Sequence, residues 1–245
     1  MPETTASLAD ALHALGWRAP REAVISLVVH ATKTRLSPLQ TLEQLAALER
    51  RERDARNLAS RTKAATLGRL KTLDAFDWNH PRQINRELYE RLLSLDFLPR
   101  GENVLLRGPS GVGKTTLAQN LGLAALQAGH TVRFTTLATA LADLLKQESL
   151  PALERRLRRY TGPALLLLDE IGYLPCDSRA ADLLYNIISR RHQTRSTVIT
   201  TNLAFKQWGT IFPGAACVAA LVDRFTENCH VLDIEADSWR QRRQD

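Results

Sequence analysis

The stretch Gly108 to Thr116, GPSGVGKTT, satisfies G-x-x-x-x-G-K-[ST] at every specified position, and no other part of the chain restricts the fold as much. Such a loop works only between a strand and the start of a helix. Its glycines let the backbone curl so that several N–H groups converge on phosphate oxygens at the helix N-terminus. The flanks meet that demand: NVLLR, Asn103 to Arg107, is a short apolar run suited to a buried strand, and TTLAQNLGLAALQAG carries apolar residues at helical spacing and stops at Gly129. Gly108, Gly111 and Gly113 supply the curl, with Pro109, Ser110 and Val112 between them. Lys114 is placed to reach the β and γ phosphates, the Thr115 hydroxyl to take a coordination position on Mg2+, and Thr116 ends the run.

Beyond the loop, strand and helix patterns alternate. Thr131 to Thr136 (TVRFTT), Ala164 to Glu170 (ALLLLDE), Ser196 to Asn202 (STVITTN) and Cys229 to Ile234 (CHVLDI) read as further strands with helical segments between them. Alternation of this kind predicts a doubly wound α/β fold, here a five-stranded parallel sheet sandwiched by helices. The run Leu165 to Leu168 belongs to a strand buried on both faces. Ligands of such sheets bind beyond the carboxyl ends of the strands, where the polar motifs fall. Asp169 and Glu170 close the third strand as a Walker B pair: Asp169 for the Mg2+ shell, Glu170 to polarise an attacking water. A base for water suits nucleotide hydrolysis better than transfer to a metabolite. At the tip of the fourth strand Thr200, Thr201 or Asn202 can meet the γ-phosphate or the water, and Asn202 is the choice made here. Neither the base-reading N-K-x-D of GTPases nor L-S-G-G-Q occurs, which leaves ATP as the expected nucleotide.

A chain of 245 residues with 44% hydrophobic content carries one sizeable α/β core and a smaller appendage. The expected division is a helical domain over 1–70, a linker and helix over 71–98, and the nucleotide-binding domain over 99–245. Ser37 reads as an N-cap and Pro38 as the first turn of a long helix. Asp74 to Asn85, DAFDWNHPRQIN, reads as a linker before a helix around Arg86 to Leu95; Phe76 or Trp78 is either an apolar wall for the base or an ordinary core anchor. The net charge is +7, of which +6 lies between Arg50 and Lys71: Arg50, Arg51, Arg53, Arg56, Arg61, Lys63, Arg69 and Lys71 against Glu52 and Asp54. That density marks an electrostatic footprint for nucleic-acid phosphates, bound without regard to sequence. Arg155, Arg156, Arg158 and Arg159, with Arg190 and Arg191, are candidates for a further DNA-facing surface, unless Glu154 pairs with Arg158 on a solvated helix. Cys176, Cys217 and Cys229 form no C-x-x-C pair, and Cys229 and His230 point to opposite faces of a strand, so neither a disulfide framework nor a metal site is expected. No run has the length of a membrane span and the N-terminus lacks a signal-peptide pattern, so the expected location is cytoplasmic.

Taken in order, GPSGVGKTTLA, LLLLDEIGYLP, ADLLYNIISRRHQTRSTVITTNLAFKQWG, LVDRF and DSWR resemble the IstB-like transposase helper ATPases of bacterial insertion sequences, over nearly the whole chain. The resemblance implies an AAA+ ATPase, related to DnaC-type helicase loaders, that takes ATP and Mg2+. It further implies a homo-oligomer with ATP at subunit interfaces, assembly on duplex DNA, and work with an IstA-like DDE transposase. Residue by residue, it assigns Lys114 and Thr115 to phosphate and metal, Asp169 and Glu170 to metal and water, Asn202 to the sensor position and Arg224 to an arginine finger. Arg224 otherwise reads as an ion pair with Asp223 or Glu227, and Arg240 as a weaker candidate for a second sensor. The small-residue run before Arg224, FPGAACVAA, departs from a standard setting for a finger. Two other readings remain beside this one: a DnaC-like helicase loader, which shares the core and prefers single strands, and a P-loop metabolite kinase, which needs no DNA.

Overall fold

The computed structural model describes residues 2–172, 178–212 and 216–237. Its contacts group the chain into Met1–Ser60 and Arg61–Asp245, a division ten residues earlier than the expected end of the helical domain. Cys176 and Arg240 lie outside the described residues.

The first unit is helical: α1 (Pro2–Ala14), α2 (Arg21–Lys33) and most of α3 (Pro38–Ala65). Ser37 caps α3 as its composition promises. The Ser37 hydroxyl accepts from the Gln40 amide at 3.2 Å and the Gln40 side chain accepts from the Ser37 amide at 2.9 Å, satisfying two donors that a helix start leaves open. Ala9, Ala19, Val24, Leu45 and Leu48 form the small core. Beside it Glu49, 8% exposed, accepts from the amides of Arg18 (2.8 Å) and Ala19 (2.9 Å) and pairs with Arg53. Burial pushes this carboxyl up, but Arg53 and the two amides outweigh it and hold it below the usual carboxylate range.

The second unit runs β1 (Gln83–Ile84), α4 (Arg86–Leu93), β2 (Asn103–Arg107), α5 (Lys114–Gln127), β3 (Val132–Thr136), α6 (Leu137–Leu145), α7 (Leu150–Thr161), β4 (Leu165–Ile171), α8 (Ser178–Arg191), β5 (Ser196–Thr201), α9 (Trp208–Ile211), α10 (Val218–Thr226) and β6 (Cys229–Glu235). The strands lie in the order β1-β6-β2-β5-β4-β3, and every pair from β6 to β3 is parallel. The five expected strands are these. The sixth, β1, pairs antiparallel with β6 through Gln83 with Glu235 and Ile84 with Ile234, so the sheet is mixed rather than wholly parallel. Two residues give no periodicity to read, which is why this segment looked like linker; it covers an edge that β6 would otherwise leave open.

Leu165 to Leu168 are at most 1% exposed, as expected of a central strand. The α5 helix lies close against β4 because Gly122 has no side chain: a Cβ there would stand 2.7 Å from Leu167 Cδ1. On the other side of the sheet α8, α9 and α10 enclose Trp208 and Phe225, whose ring centroids are 6.2 Å apart.

Two basic residues offered for a DNA-facing surface are used otherwise. Arg191 is 1% exposed, and its guanidinium donates to Thr197 Oγ1 (3.0 Å) and to the carbonyls of Tyr160 (3.0 Å), Pro163 (2.8 Å), Ala164 (3.3 Å) and Ser196 (2.5 Å). It ties the turn before β4 to the start of β5 and cannot reach a ligand. Arg190 makes a two-pronged pair with Glu154, both contacts 2.7 Å, so Glu154 is held by Arg190 rather than by Arg158. Replacing Arg191 with Met leaves several buried acceptors without a donor, each worth about 1–3 kcal/mol. Urea unfolding of Arg191→Met is expected to show a loss of at least about 3 kcal/mol.

Candidate functional site

The chain leaves β2 at Arg107 and turns at once. Gly108 N donates to Thr201 O at 3.1 Å, and a Cβ on Gly108 would stand 2.4 Å from Ile234 O, so the loop starts wedged between β5 and β6. Gly111 (φ +82°) and Gly113 (φ +95°) take left-handed conformations that admit glycine readily. The helix α5 then begins at Lys114. Lys114 is 7% exposed and its Nζ donates to the carbonyls of Gly108 (2.7 Å) and Pro109 (2.6 Å), folding the ammonium across the loop it serves.

Asp169 and Glu170 sit on an irregularity that the sequence does not announce. Leu168 stands opposite Ile199 and Ile171 opposite Thr201, so two residues of β4 face the single residue Thr200. This is a β-bulge, and it leaves the two carboxylates outside the β4–β5 ladder, each set by its own contacts. Asp169, 4% exposed, accepts from Thr115 Oγ1, which stands 3.0 Å from both of its oxygens. Glu170 takes φ +63°, unusual for a residue with a side chain, and is exposed on the cavity wall. Thr200 holds both: its hydroxyl donates to Asp169 Oδ1 and accepts from the Glu170 amide at 3.0 Å.

A cavity of about 260 Å3 opens over the loop, lined by Ser110 to Thr116, Glu170 and Thr200 and closed on the far side by the segment from Lys71 to His80. Phe76 is therefore a wall of the cavity: a Cβ on Gly113 would stand 2.6 Å from its ring. Trp78, half-buried, stacks behind it, its ring centroid 4.8 Å from that of Phe76 and 5.6 Å from that of Tyr89. Buried Tyr89, whose phenol burial pushes above its usual range, donates to Leu117 O at 3.0 Å and fixes this stack on α5.

The remaining sequence candidates fall elsewhere. Asn202 is exposed just past β5, beside Gly172, while the cavity is lined by Thr200. Arg224 pairs with neither Asp223 nor Glu227. It bonds Ser189 Oγ and lies over the Tyr185 ring at 4.9 Å, both on α8. Glu227 is engaged by His192 and Gln193. Arg50, Arg51, Arg53 and Arg56 are exposed on α3, and Lys63 and Arg69 are exposed as well; Arg61 is half-buried with Nη2 3.5 Å from Leu126 O. Lys71 lies past the helix and lines the cavity, its carbonyl held by Asn120 Nδ2 at 2.8 Å. Burial pushes the Cys229 thiol up to about 12, His230 bonds Glu102 at 2.8 Å, and no His, Cys, Asp and Glu group suited to a metal occurs among the described residues.

Strand order, phosphate loop and paired carboxylates together define a P-loop nucleotide-binding core. Similar folds include a DNA replication initiation factor (TM-score 0.56, 20% identity, 69% of this chain and 52% of that one) and the DnaC helicase loader (TM-score 0.52, 20% identity, 64% and 98%). A family described as IstB-like ATP binding protein matches residues 11–245, and the chain belongs to it. It is 38% identical over 217 residues to a protein named as an ATP-binding protein of insertion sequence IS21 in Pseudomonas aeruginosa, covering 89% of this chain and 82% of that one. It is also 36% identical over 205 residues to one named for insertion sequence IS232 in Bacillus thuringiensis subsp. berliner, covering 84% and 82%. No helix among the described residues is long and apolar enough to cross a membrane.

Two of the three candidates at the tip of β5, Thr200 and Asn202, separate by stability. Thr200→Val removes the donor to Asp169 and the acceptor of the Glu170 amide, and is expected to lower unfolding free energy by about 1–3 kcal/mol. Asn202→Ala, at an exposed side chain, is expected to stay within about 0.5 kcal/mol. Paired urea titrations of the two variants measure the difference.

Proposed function

We propose that the protein is an ATP-dependent DNA-binding helper of a DDE transposase, which assembles as an oligomer on duplex target DNA and hydrolyses ATP. The observation that carries the hydrolytic half is the bulge at Asp169 and Glu170. It puts one carboxylate against Thr115 at the phosphate loop and leaves the other free on the cavity wall. Thr115 and Asp169 present oxygen donors only, a set that fits Mg2+. Bound there, the ion would neutralise charge on the β and γ phosphates.

Within the cavity the backbone N–H groups from Gly111 to Thr115 hold the phosphate oxygens, and Lys114 exchanges its two carbonyl partners for the β and γ phosphates. Glu170 accepts a proton from the water that attacks the γ-phosphorus; the bond to the β–γ bridging oxygen breaks, giving ADP and phosphate. Thr200, by fixing the Glu170 amide, sets where that carboxylate points. Asn202 serves as sensor only if nucleotide draws it toward the γ-phosphate. Arg224 lines no part of its own chain's cavity among the described residues, and its hold on Ser189 and Tyr185 is not a charge pair. A finger that completes a neighbouring subunit's site is consistent with that placement, and it would make hydrolysis depend on assembly.

The nucleic-acid half rests on the helical domain and its exposed arginines, together with relatives named for insertion sequences. ATP favours the DNA-bound assembly only through a higher affinity for that state than for the free one. The IstA-like transposase as partner and the cytoplasm as location belong to the same reading. Preference for single strands would instead favour the helicase-loader reading.

Glu170→Gln is expected to bind ATP normally and to hydrolyse it about 100-fold more slowly or worse, whereas Lys114→Ala loses ATP binding. Normal hydrolysis by Glu170→Gln would remove Glu170 as the base. In mixtures of Lys114→Ala with Arg224→Ala, each inactive alone, recovery of ATPase activity would place the finger in trans, since one protomer then offers an intact loop and the other an intact arginine.

A further inference from the structure

Asp143 on α6 is the centre of a cluster that nucleotide chemistry does not use. Its Oδ1 stands 3.1 Å from Arg156 Nε, and its Oδ2 accepts from the buried Tyr160 hydroxyl at 2.6 Å. Arg159 Nη1 stands 3.9 Å from the same Oδ2, too far for a hydrogen bond. Arg133, on the sheet's edge strand β3, lies near enough for the charges of this group to act on it. Its Nη1 donates to Ala64 O at 3.2 Å, and its Nε is buried without a hydrogen-bond partner.

Two guanidiniums therefore share one carboxylate, and the half-buried Arg133 adds a third cation near them. Burial, then the nearby Arg159 and Arg156 cations, hold Arg133 below the usual arginine range. Crowded cations of this sort are unfavourable in the free protein, and a bound oxyanion relieves them while using the exposed guanidiniums of Arg156 and Arg159. Arg156 and Arg159 are partly exposed, at 39% and 45%, so an anion can reach them. The bond from Arg133 to Ala64 also joins the cluster to the last turn of α3, next to exposed Lys63.

We propose that Arg156 and Arg159, with the charge of half-buried Arg133 near them, form a phosphate seat at the edge of the ATPase core, separate from the P-loop, that takes a backbone phosphate of nucleic acid. This rests on the DNA-binding reading above and adds to it a contact outside the basic segment. Nucleic acid is favoured over a free anion because the charge runs on from the cluster into the end of α3 rather than closing around a single pocket.

The test is duplex binding by the full-length protein, followed over a range of salt for wild type, Arg156→Gln/Arg159→Gln and Asp143→Asn. Each lost phosphate contact lowers the slope of log K against log salt by about 0.9, so the double variant is expected to lose about 2. Asp143→Asn keeps a partner for Tyr160 but removes the cluster's one negative charge, and is expected to bind duplex more tightly; a purely structural role for Asp143 would not give that sign. Arg156→Lys/Arg159→Lys is expected to keep most of the slope. A wild type that binds duplex, with an unchanged slope in the glutamine double variant, overturns the seat alone. A wild type that binds no duplex overturns the DNA reading and the seat together. A seat for free anion only would show as stabilisation of wild type by inorganic phosphate, with the P-loop filled by an ATP analogue, that the double variant loses while its duplex binding is unchanged; that too overturns the proposal.

Discussion

The Thr200 hydroxyl is the joint on which the site turns. It donates to Asp169 and accepts from the amide of Glu170, and so pins the bulged end of β4 to the tip of β5. Without that pin, neither residue would be tied to β5, because the ladder between the two strands skips from Leu168 to Ile171. With it, Asp169 is drawn inward against Thr115 and Glu170 is left outward in a left-handed conformation. A polar group buried on both sides is worth most where every partner is satisfied, and Thr200 meets that condition with one oxygen.

The rest of the cavity depends on a segment outside the sheet's strands. From Thr66 to Trp78 the chain is fastened to the core: Gln119 Nε2 donates to Leu67 O at 2.6 Å and Asn120 Nδ2 to Lys71 O, while the segment's own Thr66 hydroxyl donates to Phe134 O at 2.7 Å. Gln119 and Asn120 lie on α5, the helix whose first turn carries Lys114 and Thr115. The wall that Phe76 presents to the phosphate loop is thus held by the helix that the loop starts. Gly113 serves twice, admitting a left-handed backbone and leaving room for the Phe76 ring.

Much of this was legible in the sequence because it is written in patterns of fixed length. The loop, its strand and its helix follow from spacing alone, and so do the buried run at Leu165 to Leu168 and the cap at Ser37. What escaped is set by contacts between residues distant in the chain. The two-residue β1 exists only because β6 needs a partner. Arg191 looks like any helix-end cation until the carbonyls of the neighbouring turn surround it. Which of Thr200, Thr201 and Asn202 meets the carboxylate pair depends on where the bulge falls, and a bulge is a matter of pairing rather than composition. Charge counting locates the excess between Arg50 and Lys71 but not the use of each cation: Arg53 is paired with Glu49 and Lys71 lines the nucleotide cavity.

The central claim is that nucleotide bound at this site controls a grip on duplex DNA. It is tested most directly by the affinity of one purified preparation for duplex and for single-stranded DNA at fixed salt, with a non-hydrolysable ATP analogue, with ADP and with neither. The account predicts tight, sequence-independent duplex binding with the ATP analogue and much weaker binding in the other two states. Equal affinity in all three states, or a preference for single strands, would contradict it.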